Sequence, residues 1–200
     1  MSDVVASWDR WNVTYGDKWP AEAVISYVYR DCPRPFSGNA LDIGCGNGVN
    51  SCFLASEGYA VYGFDISPYG VTKATDYAAS RNVNVEFACA SIDCLPFKGI
   101  QFDVVICVGV FDCVRREMAA ASLANLEKRL NVGAKGLFVF AANDDFRTVI
   151  DNEWQLDGFV RDEVEALFSN RFRSVYIDEL VQTRQGGAVK RHDWVVTIEG

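Results

Sequence analysis

The stretch "LDIGCGNGVN", Leu41 to Asn50, joins a hydrophobic run to a helical pattern and places Gly44, Gly46 and Gly48 behind an acid, Asp42. Upstream, "NALDI" (39–43) reads as a short buried strand. Downstream, "GVNSCFLASEG" sets Val49, Cys52 and Phe53 at helical spacing, with Gly58 as a stop. Strand, glycine turn and helix in this order form the ligand-holding corner of a doubly wound α/β fold, where ligands bind at the carboxyl ends of the strands. Glycine is needed there for positive φ or for close approach of a ligand to the backbone. The dinucleotide fingerprint is G-x-G-x-x-G. Here the spacing is G-x-G-x-G, and Val49 stands where the third glycine would fall. A carboxylate at Asp42 disfavours a diphosphate and favours a cation. S-adenosyl-L-methionine, with a sulfonium, an ammonium, a carboxylate, an adenosine and no phosphate, meets those demands.

The units on either side repeat the alternation. "YAVYGFDI" (59–66) is a second strand, and Asp65 near its end can accept hydrogen bonds from both hydroxyls of a ribose. NAD calls for an acid at a similar place, so Asp65 alone does not discriminate. Ser67 as N-cap and Pro68 at the first helical position start a helix over "SPYGVTKATDYAASR". "VNVEFACA" (83–90) alternates like a strand, and "FDVVICVGV" (102–110) is apolar nearly throughout, as a central parallel strand should be. Ala119, Leu123, Leu126 and Leu130 mark one face of a helix, and "GLFVFAA" (136–142) is a further buried strand. Then Val160, Val164, Leu167 and Phe168 form a helical stripe. "RSVYIDELV" (173–181) and "DWVVTIE" (193–199), with Gly186-Gly187 between them, read as an antiparallel hairpin on one sheet edge.

Composition narrows the function. At 200 residues the chain is read as one domain with a real core. A formal net charge of -8 argues against nucleic acid as a partner, and Arg184, Lys190 and Arg191 read as part of a solvated hairpin. Residues 1–30 lack an apolar signal core, and the longest apolar run, Val104 to Phe111, is too short to span a bilayer. No membrane partner and a cytoplasmic location are therefore expected. The 7 cysteines form no C-x-x-C and His192 is the only histidine, so neither a disulfide framework nor a metal site is expected.

As a set, these motifs closely resemble those of the class I S-adenosylmethionine-dependent methyltransferases. "LDIGCGNGVNSCFLASEGYAVYGFDIS" resembles the family's first motif, with the flavour of small-molecule members of the tellurite-resistance and thiopurine type. "ASIDCLPFKGIQFDVVICVGVFDCV" and "NVGAKGLFVF" are similar to later motifs. The resemblance covers about residues 39–142. It implies a Rossmann-like seven-stranded sheet of order 3-2-1-4-5-7-6 with strand 7 antiparallel, in agreement with the edge hairpin. It also implies a division into an N-terminal helical lid segment (1–38), a cofactor-binding core (39–142) and a substrate loop, helix and edge hairpin (143–200).

Carried over position by position, the resemblance puts Asp42, Gly44, Cys45 and Gly46 on the methionine-contacting turn. Asp65 falls on the ribose-binding acid, with Ile66 beside the adenine. Ser91 stands where relatives often have an Asp for the adenine amino group, Ile92 offers a backbone N–H, and Cys107 falls where the chain passes the methionine portion. Gly48 is expected to serve helix–strand packing. The aromatic stretch "SWDRWNVTYGDKWP" supplies Trp8, Trp11, Tyr15 and Trp19; of these Tyr15, and then Trp11, are expected at the cofactor.

Methyl transfer is an in-line displacement, and a base is required only where the acceptor must lose a proton. Many relatives carry histidine just after the fourth strand; here Asp112 and Cys113 follow, and Asp112 is the candidate catalytic base. Asn143 and Asp144 are expected near the active-site mouth, and residues 1–20, 111–117 and 143–160 are expected to set specificity for a small-molecule acceptor. Two other classes stay open: an NAD-dependent oxidoreductase, and a non-catalytic module that kept the cofactor fold. The acceptor atom and the oligomeric state stay open as well.

Overall fold

In a computed structural model, residues 2–16, 18–149, 156–187 and 189–200 are described. The elements run α1 (Ser2–Thr14), α2 (Glu22–Asp31), β1 (Asn39–Ile43), α3 (Val49–Glu57), β2 (Ala60–Asp65), α4 (Pro68–Arg81), β3 (Val85–Cys89) and β4 (Phe102–Val108). They continue with α5 (Arg116–Leu126), β5 (Leu130–Ala141), α6 (Phe146–Val149), α7 (Arg161–Phe168), β6 (Ser174–Arg184) and β7 (Val189–Glu199). The sheet has seven strands in the order β3-β2-β1-β4-β5-β7-β6. β7 runs antiparallel to both neighbours and the other pairs are parallel. The expected order and the edge hairpin are therefore the ones observed.

The pleat sorts side chains onto two faces. On one face Leu41, Ile43, Val105, Cys107, Phe138 and Phe140 pack with Leu123 of α5 and Phe168 of α7. On the other, Ala40, Val104, Ile106, Leu137 and Val139 pack with Val24 and Val28 of α2 and Leu54 of α3. Phe138, Phe140, Phe159 and Phe168 form an aromatic cluster on the first face, with ring centroids 4.9–6.4 Å apart.

The α4 start is built as expected. Ser67 Oγ accepts from Gly70 N at 2.9 Å, and Pro68 opens the helix. One helix boundary differs from the sequence reading: α5 stops at Leu126, a 3-10 turn follows at Glu127–Arg129, and Leu130 begins β5. Its apolar side chain continued the helical stripe by coincidence of spacing.

Candidate active site

The turn after β1 is held from within. Gly44 N and Cys45 N both donate to Phe64 O (2.8 and 3.0 Å), Gly46 N donates to Asp65 Oδ2 (2.9 Å), and Gly48 N donates to Cys45 O (2.8 Å). Gly44 sits at φ 69°, and a Cβ there would stand 2.3 Å from Val110 Cγ2. No other residue fits without moving the β4 exit. Gly48 sits close against both a helix and a strand: a Cβ would meet Ala74 Cβ of α4 at 2.7 Å and Phe87 Cζ of β3 at 3.0 Å.

Beside this turn, at the carboxyl ends of β1, β2 and β4, lies a cavity of about 610 Å³, a size typical of small-molecule sites. Gly44, Cys45, Gly46, Asp65, Ile66, Ser91 and Ile92 line it. The structure thus brings together seven of the residues expected at the cofactor. Asp65 Oδ1 accepts from Ser67 N at 2.8 Å, while Oδ2 takes Gly46 N. A carboxylate offers about four lone-pair sites, so each oxygen keeps one for a ligand. Burial raises the Asp65 pKa, against the opposing pull of the Ser67 and Gly46 N–H groups. A ligand that donates two hydrogen bonds would favour the charged form further.

Several of the expected residues lie outside the cavity lining. Asp42 does not line the cavity. The pleat turns it to the Ala40 face, where it is 1% exposed and accepts from Ser51 Oγ at 2.6 Å. It fixes α3 to β1 and so acts on the turn from behind. Cys107 is turned the other way, into the core with Phe138 and Phe111. Asp112 lies in a 3-10 turn (Phe111–Cys113) that rotates it inward. Its carboxylate is 1% exposed and accepts from Ala141 N at 3.1 Å. Burial pushes its pKa up, and it does not line the cavity. Cys113 lines the wall in its stead. Asn143 and Asp144 are not among the lining residues either: Asn143 N donates to Phe159 O, while Asp144 pairs with Lys190 and, at 2.5 Å, with His192 Nδ1.

The N-terminal helix supplies one wall. Val4, Ser7, Trp8, Trp11 and Asn12 recur at i, i+3, i+4, i+7 and i+8, and all five line the cavity. Trp8 and Trp11 meet edge to face at 6.2 Å. Tyr15 would extend the stripe, but α1 ends at Thr14 and Tyr15 is 60% exposed, outside the lining. Trp19 is further out, 81% exposed. Asp9 ties α1 to the rest: its Oδ1 accepts from Ser67 Oγ and, at 3.2 Å, from Tyr69 N at the start of α4.

The far wall consists of Val110, Val114, Arg115 and Met118 with Asp157. Arg116 anchors that side: it donates to the carbonyls of Asp157 (3.0 Å) and Gly158 (2.9 Å) and lies 3.5 Å from the centroid of Phe159. Burial pushes the thiols of Cys45 and Cys113 well up, so both are uncharged wall groups at neutral pH. Trp154, expected in the specificity loop, lies outside the described residues. Sequence reasoning missed Val4, Ser7, Asn12, Asn50, Val110 and Met118 as lining. The helical stripe of α1 was the signal available for the first three.

The sheet order, with strand 7 antiparallel, is the one the resemblance to the class I S-adenosylmethionine-dependent methyltransferases implies. Residues 40–133 match a protein family described as "Methyltransferase domain". Among curated proteins, an uncharacterized methyltransferase of Schizosaccharomyces pombe is 40% identical over 92 residues, covering 44% of this chain and 63% of that one. A probable S-adenosyl-L-methionine-dependent methyltransferase, TehB of Haemophilus influenzae, is 29% identical over 105 residues, covering 52% of this chain and 36% of that one. The chain thus spans less than two thirds of the length of either relative. Among solved structures, the N-methyltransferase NodS of Bradyrhizobium japonicum, in complex with S-adenosyl-L-homocysteine, superposes with a TM-score of 0.74 at 15% identity, over 98% of both chains. That likeness is one of fold.

Proposed function

We propose that this protein transfers a methyl group from S-adenosyl-L-methionine to a small-molecule acceptor by in-line displacement, leaving S-adenosyl-L-homocysteine. One observation carries the choice of ligand. The amides of Gly44, Cys45, Gly46 and Gly48, which would cradle a diphosphate, are all engaged inside the fold. What faces the cavity from this corner is the Asp65 carboxylate, an acceptor. Such a corner suits a ribose and a cation, and it disfavours NAD.

Bound S-adenosylmethionine supplies an activated methyl group on a positively charged sulfur. The residues that suit it are Asp65 for the ribose hydroxyls, Ile66, Ser91 and Ile92 for the adenine, and the Gly44–Gly46 turn for the methionine portion. Trp8 and Trp11 cover the site and offer aromatic faces to a cation. Their contribution to rate is alignment and exclusion of water. The acceptor half, walled by Val110, Val114 and Met118, suits a partly apolar small molecule. Asp112 is buried off the cavity lining, so this reading assigns no general base among the described residues. The reading therefore requires an acceptor atom that is nucleophilic without help, and a pH–rate profile that follows the acceptor's own ionisation. The protein's seven cysteines are all free thiols, which suits a reducing, cytoplasmic compartment. Among the described residues no helix is long and apolar enough to cross a membrane.

Calorimetry with S-adenosylmethionine, S-adenosylhomocysteine and NAD tests the reading. Binding of the first two and not of NAD is expected. Tight binding of NAD alone would overturn it, and binding of none would favour the non-catalytic module.

A further inference from the structure

The geometry points to Asn12, on α1, as a further ligand-binding residue: its Oδ1 accepts a hydrogen bond from an O–H or N–H of the bound nucleoside cofactor, and Asp9 is the positioning residue that holds it there. The inference rests on the methyltransferase reading above and adds a contact that the glycine turn and Asp65 do not supply.

Asn12 lines the cavity, yet it is only 9% exposed. Its amide is oriented from behind, because Nδ2 donates to Trp8 O at 3.0 Å, one helical turn back. That bond fixes the other end of the amide. Oδ1 stands 3.5 Å from the place a Cβ on Gly46 would occupy, above the residue whose N–H is held by Asp65. Among the described residues Asn12 Oδ1 has no hydrogen-bond partner. Native structures keep few buried acceptors without donors, and those they keep call for an explanation. Here the acceptor shares Gly46 with Asp65, so two acceptors converge on one corner of the cavity. The ligand proposed for that corner carries matching donors, the ribose hydroxyls and the ammonium.

The placement of Asn12 depends on where α1 sits. Asp9 is three residues earlier, and its carboxylate takes Ser67 Oγ and Tyr69 N. Ser67 N in turn donates to Asp65 Oδ1. One chain of hydrogen bonds therefore runs from the ribose-type acid through the α4 cap to α1.

The test is calorimetry with S-adenosylhomocysteine and methylthioadenosine on wild type, N12A, N12D, D9A and D9A/N12A, with folding checked by circular dichroism and thermal melting. N12A is expected to weaken S-adenosylhomocysteine about tenfold while the protein stays folded, and N12D, which keeps an acceptor and loses the donor to Trp8 O, to stay within about threefold of wild type. A parallel loss for methylthioadenosine identifies a ribose hydroxyl as the donor. A loss confined to S-adenosylhomocysteine identifies the ammonium, which methylthioadenosine lacks. D9A is expected to weaken binding by a similar factor, with the double variant no weaker than the weaker single one, because both act through one contact. Unchanged affinity in N12A, or equal losses in N12A and N12D, overturns the assignment to Asn12. Losses that multiply in the double variant overturn the role of Asp9. Failure of wild type to bind either nucleoside would instead overturn the methyltransferase reading itself.

Discussion

Two polar clusters sit at the same end of the sheet and are built on opposite plans. Around Asp65, at the exit of β2, the side chain accepts two backbone N–H groups and keeps lone pairs toward a cavity. Around Asp145, between β5 and β7, every direction is filled. Its 0%-exposed carboxylate takes Arg147 N (2.7 Å), Arg147 Nε (2.8 Å), Arg147 Nη2 (3.0 Å) and His192 N (2.6 Å). Arg147 also bonds Asp193, which holds Arg191 Nε at 2.8 Å. The first cluster is arranged about a ligand and the second about itself. A buried carboxylate with capacity to spare marks function, and one fully satisfied by protein marks structure.

Substitutions that separate the two plans sharpen this contrast. The largest effect is expected at Asp145. Removing one member of a buried ion network leaves its partner unpaired, so D145A should lower stability by about 3–5 kcal/mol in chemical denaturation, with cofactor affinity of the folded fraction unchanged. Burial alone would raise the Asp145 pKa, but Arg147 and the His192 N–H hold it below its ordinary value. Its folded pKa is thus below its unfolded one. The stabilisation is present above the unfolded value near 3.8 and is lost as pH falls through the folded one. Wild type should therefore lose more stability than D145A on acidification below about pH 4.

Next in size, D65A should weaken S-adenosylhomocysteine by about 1.5–3 kcal/mol, the range for hydrogen bonds to a charged group, read by calorimetry. Unchanged affinity would place Asp65 with the self-satisfied cluster and end the contrast. G44A should cost about 1–3 kcal/mol in thermal or chemical unfolding, from positive φ and the clash with Val110. Adding V110A should recover the packing part and leave the backbone part. The smallest effect is expected for D112N. Loss of a working general base costs about 10²–10⁴-fold in rate, whereas a buried structural carboxyl should leave turnover within about twofold. A drop of the larger size would move Asp112 into the functional cluster.

The same contrast explains what was legible in the chain beforehand. The β1 turn could be read because ligand approach and positive φ force glycine, and the Asp65 acid because it follows a strand at fixed spacing. Alternation and the turn at Gly186-Gly187 announced a parallel sheet with an antiparallel edge hairpin, whereas the strand order itself came from the family resemblance. Side-chain direction at strand ends was not legible. Asp42 and Cys107 sit at correct positions in sequence, but the pleat sends one toward α3 and the other into the aromatic core. Asp112 was misjudged for a related reason: a single 3-10 turn decides whether residue 112 or 113 meets the cavity, and no local pattern announces it. Tyr15 failed by one residue, since the helix that would have aimed it stops at Thr14. Asn12 was passed over because its significance is the lack of a partner, which only the packed fold reveals.

The positions of α1 and of Gly200 have a practical consequence. Asp3 and Val4 border the cavity, whereas Gly200 pairs with Gly133 and Ala134 near the start of β5, at the opposite end of the parallel strands. A purification handle fused ahead of Ser2 leaves from the entrance and competes with whatever must pass there. The same handle joined after Gly200 is on the far side of the molecule. Assays of this protein should carry their tag on that side, and a rate difference between the two fusions would itself gauge how closely α1 controls entry.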